Sequence, residues 1–449
     1  MSWQSRANRL AFDTKVLEGC CDRTKQKEYP LASTSKMPRL DANIFSNLNG
    51  TNGFVITGIP TGLSPVIATG DFNGDGIDDL AIGIKYINSV YLILGPLNVT
   101  AADSVPIDSL MDGIKGFKVM SNSDTQFGFS VAFVDINGDS KEDLIITAIE
   151  LGSSSRAGYL AVVFGASGPY TTSLDVYTMS SSLGFIITGT PSDRLGYSVA
   201  GGDVNGDGVG DIVVSASSSA STFVIFGNRN TTSLPSSVTS LNGSNGFKIN
   251  VGESSLTVSD IDKDGYSDVL MGTTTNHYVL FGAESFPPAI SVGDFNGTNG
   301  FSVTGKTSSV LHKTASGDIN DDGYPDVLIG SPQDYSPGTM YCIFGRMRPF
   351  PVNVNVEDLD GINGFTVNGF SKLDHMGSAL SVGDINADGI VDVIAGAYGQ
   401  NSSIGGVSIV YGSRLPFLAH LELTSIESNC QGTNLNGVST ASFGCSTAV

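Results

Sequence analysis

The sequence predicts an all-β fold: a β-propeller of four-stranded antiparallel blades, with an acidic hairpin loop joining two strands of each blade. Three observations carry this. A nine-residue aspartate loop occurs six times, beginning at Asp71, Asp135, Asp203, Asp260, Asp318 and Asp384, with starts 64, 68, 57, 58 and 66 residues apart. Repetition at a fixed period of that size marks a repeat architecture. Every loop runs into a short apolar segment, such as Leu80-Ala81-Ile82 or Ile212-Val213-Val214, which reads as a buried strand. Glycine is abundant, 56 residues against 17 prolines, as many tight turns require.

Taken in order, residues 1–45 stand apart from the rest. They hold 8 of the 23 basic residues and 5 of the 44 acidic ones, with no repeat and no apolar core of a signal peptide. They are expected to be a disordered arm or an artefactual start. From residue 46 each repeat opens on a Gly-Phe element, complete as Asn52-Gly53-Phe54, Asn245-Gly246-Phe247, Asn299-Gly300-Phe301 and Asn363-Gly364-Phe365. It is reduced at Gly116-Phe117 and Gly184-Phe185. A Gly/Ser-rich strand then enters the aspartate loop and an apolar strand leaves it. A further run ends in an aromatic-Gly pair: Phe164-Gly165, Phe226-Gly227, Phe281-Gly282, Phe344-Gly345 and Tyr411-Gly412. Four strands in some 60 residues make one propeller blade. Runs such as Ala161-Val162-Val163-Phe164 are apolar on both faces, so each sheet needs covering on both sides. Residues 46–412 hold six blades, and the strand after Gly53 is expected to complete the last one. A seventh, degenerate blade in 413–449 is the alternative to a simple tail.

The loops carry the chemistry. Oxygen-bearing side chains stand at positions one, three, five and nine, and position seven offers its carbonyl. The candidate ligands are Asp71, Asn73, Asp75, Ile77 and Asp79 in the first loop, and Asp135, Asn137, Asp139, Lys141 and Asp143 in the second. The third has Asp203, Asn205, Asp207, Val209 and Asp211, and the fourth Asp260, Asp262, Asp264, Tyr266 and Asp268. The fifth has Asp318, Asn320, Asp322, Tyr324 and Asp326, and the sixth Asp384, Asn386, Asp388, Ile390 and Asp392. Hard oxygen donors around one point suit Ca2+, up to six ions in all; Mg2+ demands stricter geometry, and Zn2+ would want His and Cys. An EF-hand would need a bidentate Glu at position twelve, where this chain has Ile82, Ile146, Val214, Met271, Ile329 and Ala395. The competing reading is a set of metal-free Asx turns. Several carboxylates in one tight loop repel each other unless a cation sits among them. The fourth loop, with four carboxylates, is expected to bind most tightly. The second, with Ser140 where the others have Gly, is expected to bind most weakly.

Composition bounds the rest. The net charge of −21 would fall to −9 with six divalent ions bound, so the acidity is largely a ligand inventory. It argues against nucleic acid as a partner. No apolar run reaches 18 residues, so no membrane span is read. Of the five cysteines, Cys342 is expected to be a buried free thiol, while Cys430 and Cys445 could pair. The four histidines are scattered, and no catalytic motif is present. Acceptor sequons at Asn49, Asn98, Asn230, Asn242, Asn296 and Asn401 weigh toward a glycoprotein.

The Gly-Phe strands, the aspartate loops and turns such as Gly330-Ser331-Pro332 and Gly396-Ala397-Tyr398 resemble the FG-GAP repeats of the integrin α-subunit propeller. The resemblance covers roughly residues 46–412. It implies a propeller fold, calcium at the matching loop positions and a cell-adhesion or recognition role outside the cell. Integrin propellers usually have seven blades with calcium loops only in the later ones, whereas all six copies here carry ligands. The resemblance also implies a protein or glycan partner on the face opposite the calcium loops, reached by connections that include Tyr335 and Tyr398. Related propellers accompany phospholipases of the phospholipase-D type that cleave glycosylphosphatidylinositol anchors. That makes a non-catalytic propeller of a hydrolase-like secreted protein the alternative. No enzymatic activity is expected of this chain.

Overall fold

In the computed structural model the described residues run from 54 to 436, except 60–64, 98–103, 123–125, 150–155, 220, 253–254, 306–312, 333–336, 372–373, 400–404 and 427–430. The arm read at 1–45, Cys430, Cys445 and Tyr335 lie outside them, as do Asn49, Asn98 and Asn401.

The described residues form six four-stranded antiparallel blades and one two-stranded sheet. In blade 1 the inner strand Val66–Gly70 pairs with Asp79–Ile84, which pairs with Ser89–Ile93, which pairs with the outer strand Gly116–Met120. The inner strands of blades 2 to 6 are Phe127–Val134, Leu195–Gly202, Ser255–Ser259, Lys313–Gly317 and Met376–Gly383. Each inner strand packs beside the next, from blade 1 through blade 6. No comparable contact joins the last inner strand to the first among the described residues. Between successive blades lies one apolar layer; that between blades 1 and 2 holds Leu92, Phe117, Leu144, Ile146 and Tyr159. The predicted two-faced burial follows from this stacking.

Among the described residues, the Gly of the Gly-Phe pairs has a steric reason. A Cβ on Gly116, Gly184, Gly246 or Gly364 would fall on a carbonyl oxygen of the neighbouring third strand, at Leu92, Val162, Val224 or Cys342 respectively. Phe117, Phe247, Phe301 and Phe365 are buried, and each stacks on an aromatic from the next repeat, whereas Phe185 is half-buried and meets Phe164 of its own blade. Phe247 meets Phe286 at 4.3 Å, Phe301 meets Phe350 at 4.7 Å, and Phe365 meets Phe417 at 4.3 Å between ring centroids. Cys342 is a buried free thiol.

Two features differ from the sequence reading. A fifth, parallel strand joins most blades from the following repeat: Ser173–Asp175 lies against the outer strand of blade 1, and His420–Glu422 against that of blade 5. These pieces are too short to show a period. The last blade is completed by Gly432–Asn436, paired with Gly406–Val410, and not by the N-terminal strand. A Cβ on Gly432 would fall on the Ile409 carbonyl, so Gly432 stands where the Gly-Phe glycines stand, without the Phe. Val55–Thr57 instead pairs in parallel with Ser104–Pro106. Since such parallel strands elsewhere lie on the outer strand of the preceding blade, Val55–Thr57 takes the outer-strand place of a blade before blade 1.

Candidate metal centres

Each aspartate loop closes the hairpin between the inner and second strands of its blade. In the first, Asp71 accepts backbone N–H bonds from Gly74 and Asp75 on one oxygen, at 2.8 and 3.0 Å, and from Gly76 on the other at 2.8 Å. Asn73 accepts from the Asp75 N–H at 2.8 Å, and its amide donates back to the Asp75 carboxylate at 3.0 Å. Asp75 accepts from the N–H of Ile77, at position seven. The carboxylates at positions one and five are held the same way in the other five loops, with Lys141, Val209, Tyr266, Tyr324 and Ile390 as the donors at position seven. The backbone is left-handed at position six, as the sequence implies, and also at position four. There Gly74, Gly138 and Gly206 give way to Lys263, Asp321 and Ala387. Ser140 is indeed left-handed, with φ 70°.

Position nine has a structural role of its own. Asp79, Asp143, Asp211, Asp268, Asp326 and Asp392 are all buried. Each accepts one bond from the N–H of position two and one from the glycine just after the third strand, that of the aromatic-Gly pair or, for Asp79, Gly95. For Asp211 these come from Val204 at 2.8 Å and Gly227 at 2.9 Å. The residue therefore ties the loop to the third strand of its own blade. Burial raises these carboxyls above their ordinary range, against the two backbone bonds, and the neighbouring aspartates add to it. Asp79, Asp143 and Asp326 are pushed up to about 7, Asp211 and Asp268 to about 8, and Asp392 to about 6. Such groups lack a positive counter-charge.

In the fourth loop, oxygens of Asp260, Asp262 and Asp268 lie within 4.8 Å of one another. Asp262 is 4% exposed; its Oδ2 meets the Arg348 guanidinium, while its Oδ1 has no hydrogen-bond partner. An all-oxygen donor set with an orphaned buried carboxylate oxygen fits a hard divalent cation. The structure adds a group the sequence reading missed: the Arg348 guanidinium, which is paired with both Asp262 and Asp264.

Neighbouring loops are also joined. The carbonyl at position one accepts from the N–H at position eight of the next loop: Glu142 to Asp71 at 3.0 Å, Gly210 to Asp135 and Ser267 to Asp203 at 2.8 Å. The carbonyl at position two accepts from the residue after the aromatic-Gly pair of the next blade, as in Ala166 to Phe72 at 3.0 Å and Asn228 to Ile136 at 2.9 Å.

The profile of the FG-GAP repeat matches five segments, residues 65–93, 127–163, 195–230, 312–341 and 376–411. The chain is an FG-GAP repeat protein. The matched segments each hold an inner strand, its aspartate loop and the strand after it; the Gly-Phe outer strands read from sequence as the opening of the repeat lie outside them. Blade 4, with the loop at Asp260, falls between matched segments. The chain is 32% identical over 133 residues to phosphatidylinositol-glycan-specific phospholipase D of Mus musculus, covering 27% of this chain and 15% of that protein. To the Dictyostelium discoideum protein of the same name it is 23% identical over 377 residues, 80% of this chain and 34% of that one. It is 29% identical over 221 residues to integrin alpha-V of Gallus gallus, 46% of this chain and 19% of that one. This FG-GAP chain thus spans about a third or less of each of these relatives. No helix among the described residues is long and apolar enough to cross a membrane.

Proposed function

We propose that this FG-GAP propeller binds calcium in its aspartate loops and acts outside the cell as an adhesion or recognition module, with no catalysis of its own. The observation that supports it is the repeated cup: inward-held carboxylates at positions one and five above a buried, charge-unbalanced aspartate at position nine. Asp71, Asn73, Asp75 and Asp79, and their counterparts in each loop, would hold the ion. The ion would supply the missing positive charge and hold the hairpin shut. Extracellular modules typically hold calcium at ~0.1–1 mM dissociation constants, which is useful where calcium is abundant.

The partner, a protein or glycan, is placed on the face opposite the loops, where the longer connections between the second and third strands emerge. Loops on a rigid scaffold are where recognition usually resides. Of the two aromatics read there, Tyr398 stacks on His375 at 4.5 Å. The likeness to phospholipase D over 80% of this chain supports a second reading, a non-catalytic propeller within a hydrolase-like protein.

Thermal melting in chelator and in calcium tests the metal. A site at ten times its Kd adds about 1.4 kcal/mol, so several loops together reach the ~5–15 kcal/mol net stability of a domain. A large rise in Tm is expected, and an unchanged Tm would defeat the reading. Glycan-array and extracellular-protein binding of Tyr398→Ala tests the face. Lost binding at unchanged calcium-dependent Tm is expected, and hydrolase turnover abolished by one aspartate substitution in a folded chain would refute it.

A further inference from the structure

Resting on the calcium reading of the loops, we infer that Arg348 is a tethered counter-ion: it occupies the fourth loop in competition with calcium and clasps blade 5 to blade 4. Arg348 follows the third strand of blade 5, Thr339–Ile343, yet every partner of its guanidinium lies in blade 4. Its Nε faces Asp262 and one terminal nitrogen faces Asp264, ligand positions three and five of the fourth loop. The other terminal nitrogen donates to the Thr298 carbonyl at 3.2 Å, and the guanidinium carbon lies 4.8 Å from the Phe281 ring centroid. A planar fork satisfied on three sides and stacked on an aromatic is a built position for arginine, not a loose surface ion pair.

Two independent features of the fourth loop explain why an arginine is needed there. In the first, third and fifth loops the amide of the position-three Asn donates to the position-five Asp, at 3.0, 3.1 and 2.9 Å. Asp262 has no donor to give Asp264, and two carboxylates face each other instead. The guanidinium bridges them. Position eight of the fifth loop is Pro325, which has no N–H, so the bond that Ser267 gives Asp203 cannot form between loops five and four. Among the described residues the second cross-blade bond, to the Ile261 carbonyl, is also missing at this junction, and Arg348 spans the same gap. Other basic residues near the loops do less: Arg414 meets Asp321, at position four, while itself largely exposed, and Arg229 donates only to the Gly208 carbonyl at 3.4 Å.

The fourth carboxylate that makes this loop look the strongest calcium site is therefore already balanced. Calcium reaches the cup only in the fraction of molecules whose clasp is open, and apparent affinity falls by that fraction. A clasp closed nine-tenths of the time lowers it about tenfold.

The test is equilibrium dialysis of the full chain at graded calcium, with bound ions counted per chain and folding checked by circular dichroism. Arg348→Gln is expected to take up one more ion than the unmodified chain at about tenfold lower calcium, and to melt lower than it in chelator but not in calcium. Adding Asp268→Asn should abolish the gain, and Arg414→Gln should produce none. An unchanged count in folded Arg348→Gln, or a gain that survives Asp268→Asn, overturns the inference. If Arg348→Gln does not fold, Arg348→Met, which keeps the aliphatic stem without the charge, is read in the same way. Should no loop bind calcium in any chain, the metal reading itself fails and takes this inference with it. Should the other loops bind while the fourth is indifferent to Arg348, only the clasp fails.

Discussion

At the scale of single residues, the position-nine aspartates set how the protein should respond to pH. Their folded-state values of about 6 to 8 lie above the ~3.9 of an unfolded aspartate. A raised carboxyl favours the protonated form in the fold, so its stabilising contribution is complete below about pH 4 and is lost as pH rises through 6–8. In chelator, Tm is expected to fall between pH 5.5 and pH 8.5. In saturating calcium the carboxylates are ionised and neutralised, and that fall should disappear. Melting curves at both pH values decide it, and the same slope with and without calcium would refute it. The loop positions were legible in the sequence because one loop is written six times. Arg348 was not, since it is 84 residues from Asp264 in the chain and belongs to no repeated pattern. Its two signals were Asp262 in place of an amide and Pro325 in place of an N–H donor.

At the scale of elements, the left-handed positions separate two costs that sequence alone cannot. In the inner strands of blades 2, 3 and 6 the register shifts by a bulge, at Phe127/Val131, Leu195/Ser198 and Met376/Ala379. Gly377 in the last has φ 84°, and a Cβ there would come within 2.8 Å of the Gly330 Cα. Gly389 in the sixth loop has φ 87° with open space around it. Gly389→Ala should cost about 1–2 kcal/mol, the backbone term alone. Gly377→Ala should cost clearly more, because backbone must move as well. Denaturant unfolding in saturating calcium measures both, and equal losses would show that the bulge adjusts freely. By the same backbone term, Ser140→Gly should stabilise the second loop and tighten its calcium affinity, as calorimetry would report. The strands around the loops were readable from apolar runs. The parallel crossover strands and the outer strand at Gly432 were not, since the first are two or three residues long and the second lacks the Phe that marks its counterparts.

For the whole molecule, each blade meets its neighbours through one apolar layer and a few backbone bonds between loops, so stability is a sum of blade and junction terms. The junctions are not equal. Those from blade 1 to blade 4 carry both cross-blade backbone bonds, as at Glu142–Asp71 and Ala166–Phe72, whereas the fourth-to-fifth relies on Arg348 and on the paired hydroxyls of Thr257 and Thr314 at 2.9 Å. On the proposed calcium reading, chelator would take positive charge from the cups at every other junction but leave the arginine where it is. Hydrogen exchange in chelator is therefore expected to rise in the first, second and third loops more than in the fourth, although the fourth has the most carboxylates. Arg348→Gln should reverse that order, making residues 260–268 the fastest-exchanging loop of the set. The fourth loop deprotecting first in the unmodified chain, or last in the variant, would mean that its charge is balanced by something other than Arg348.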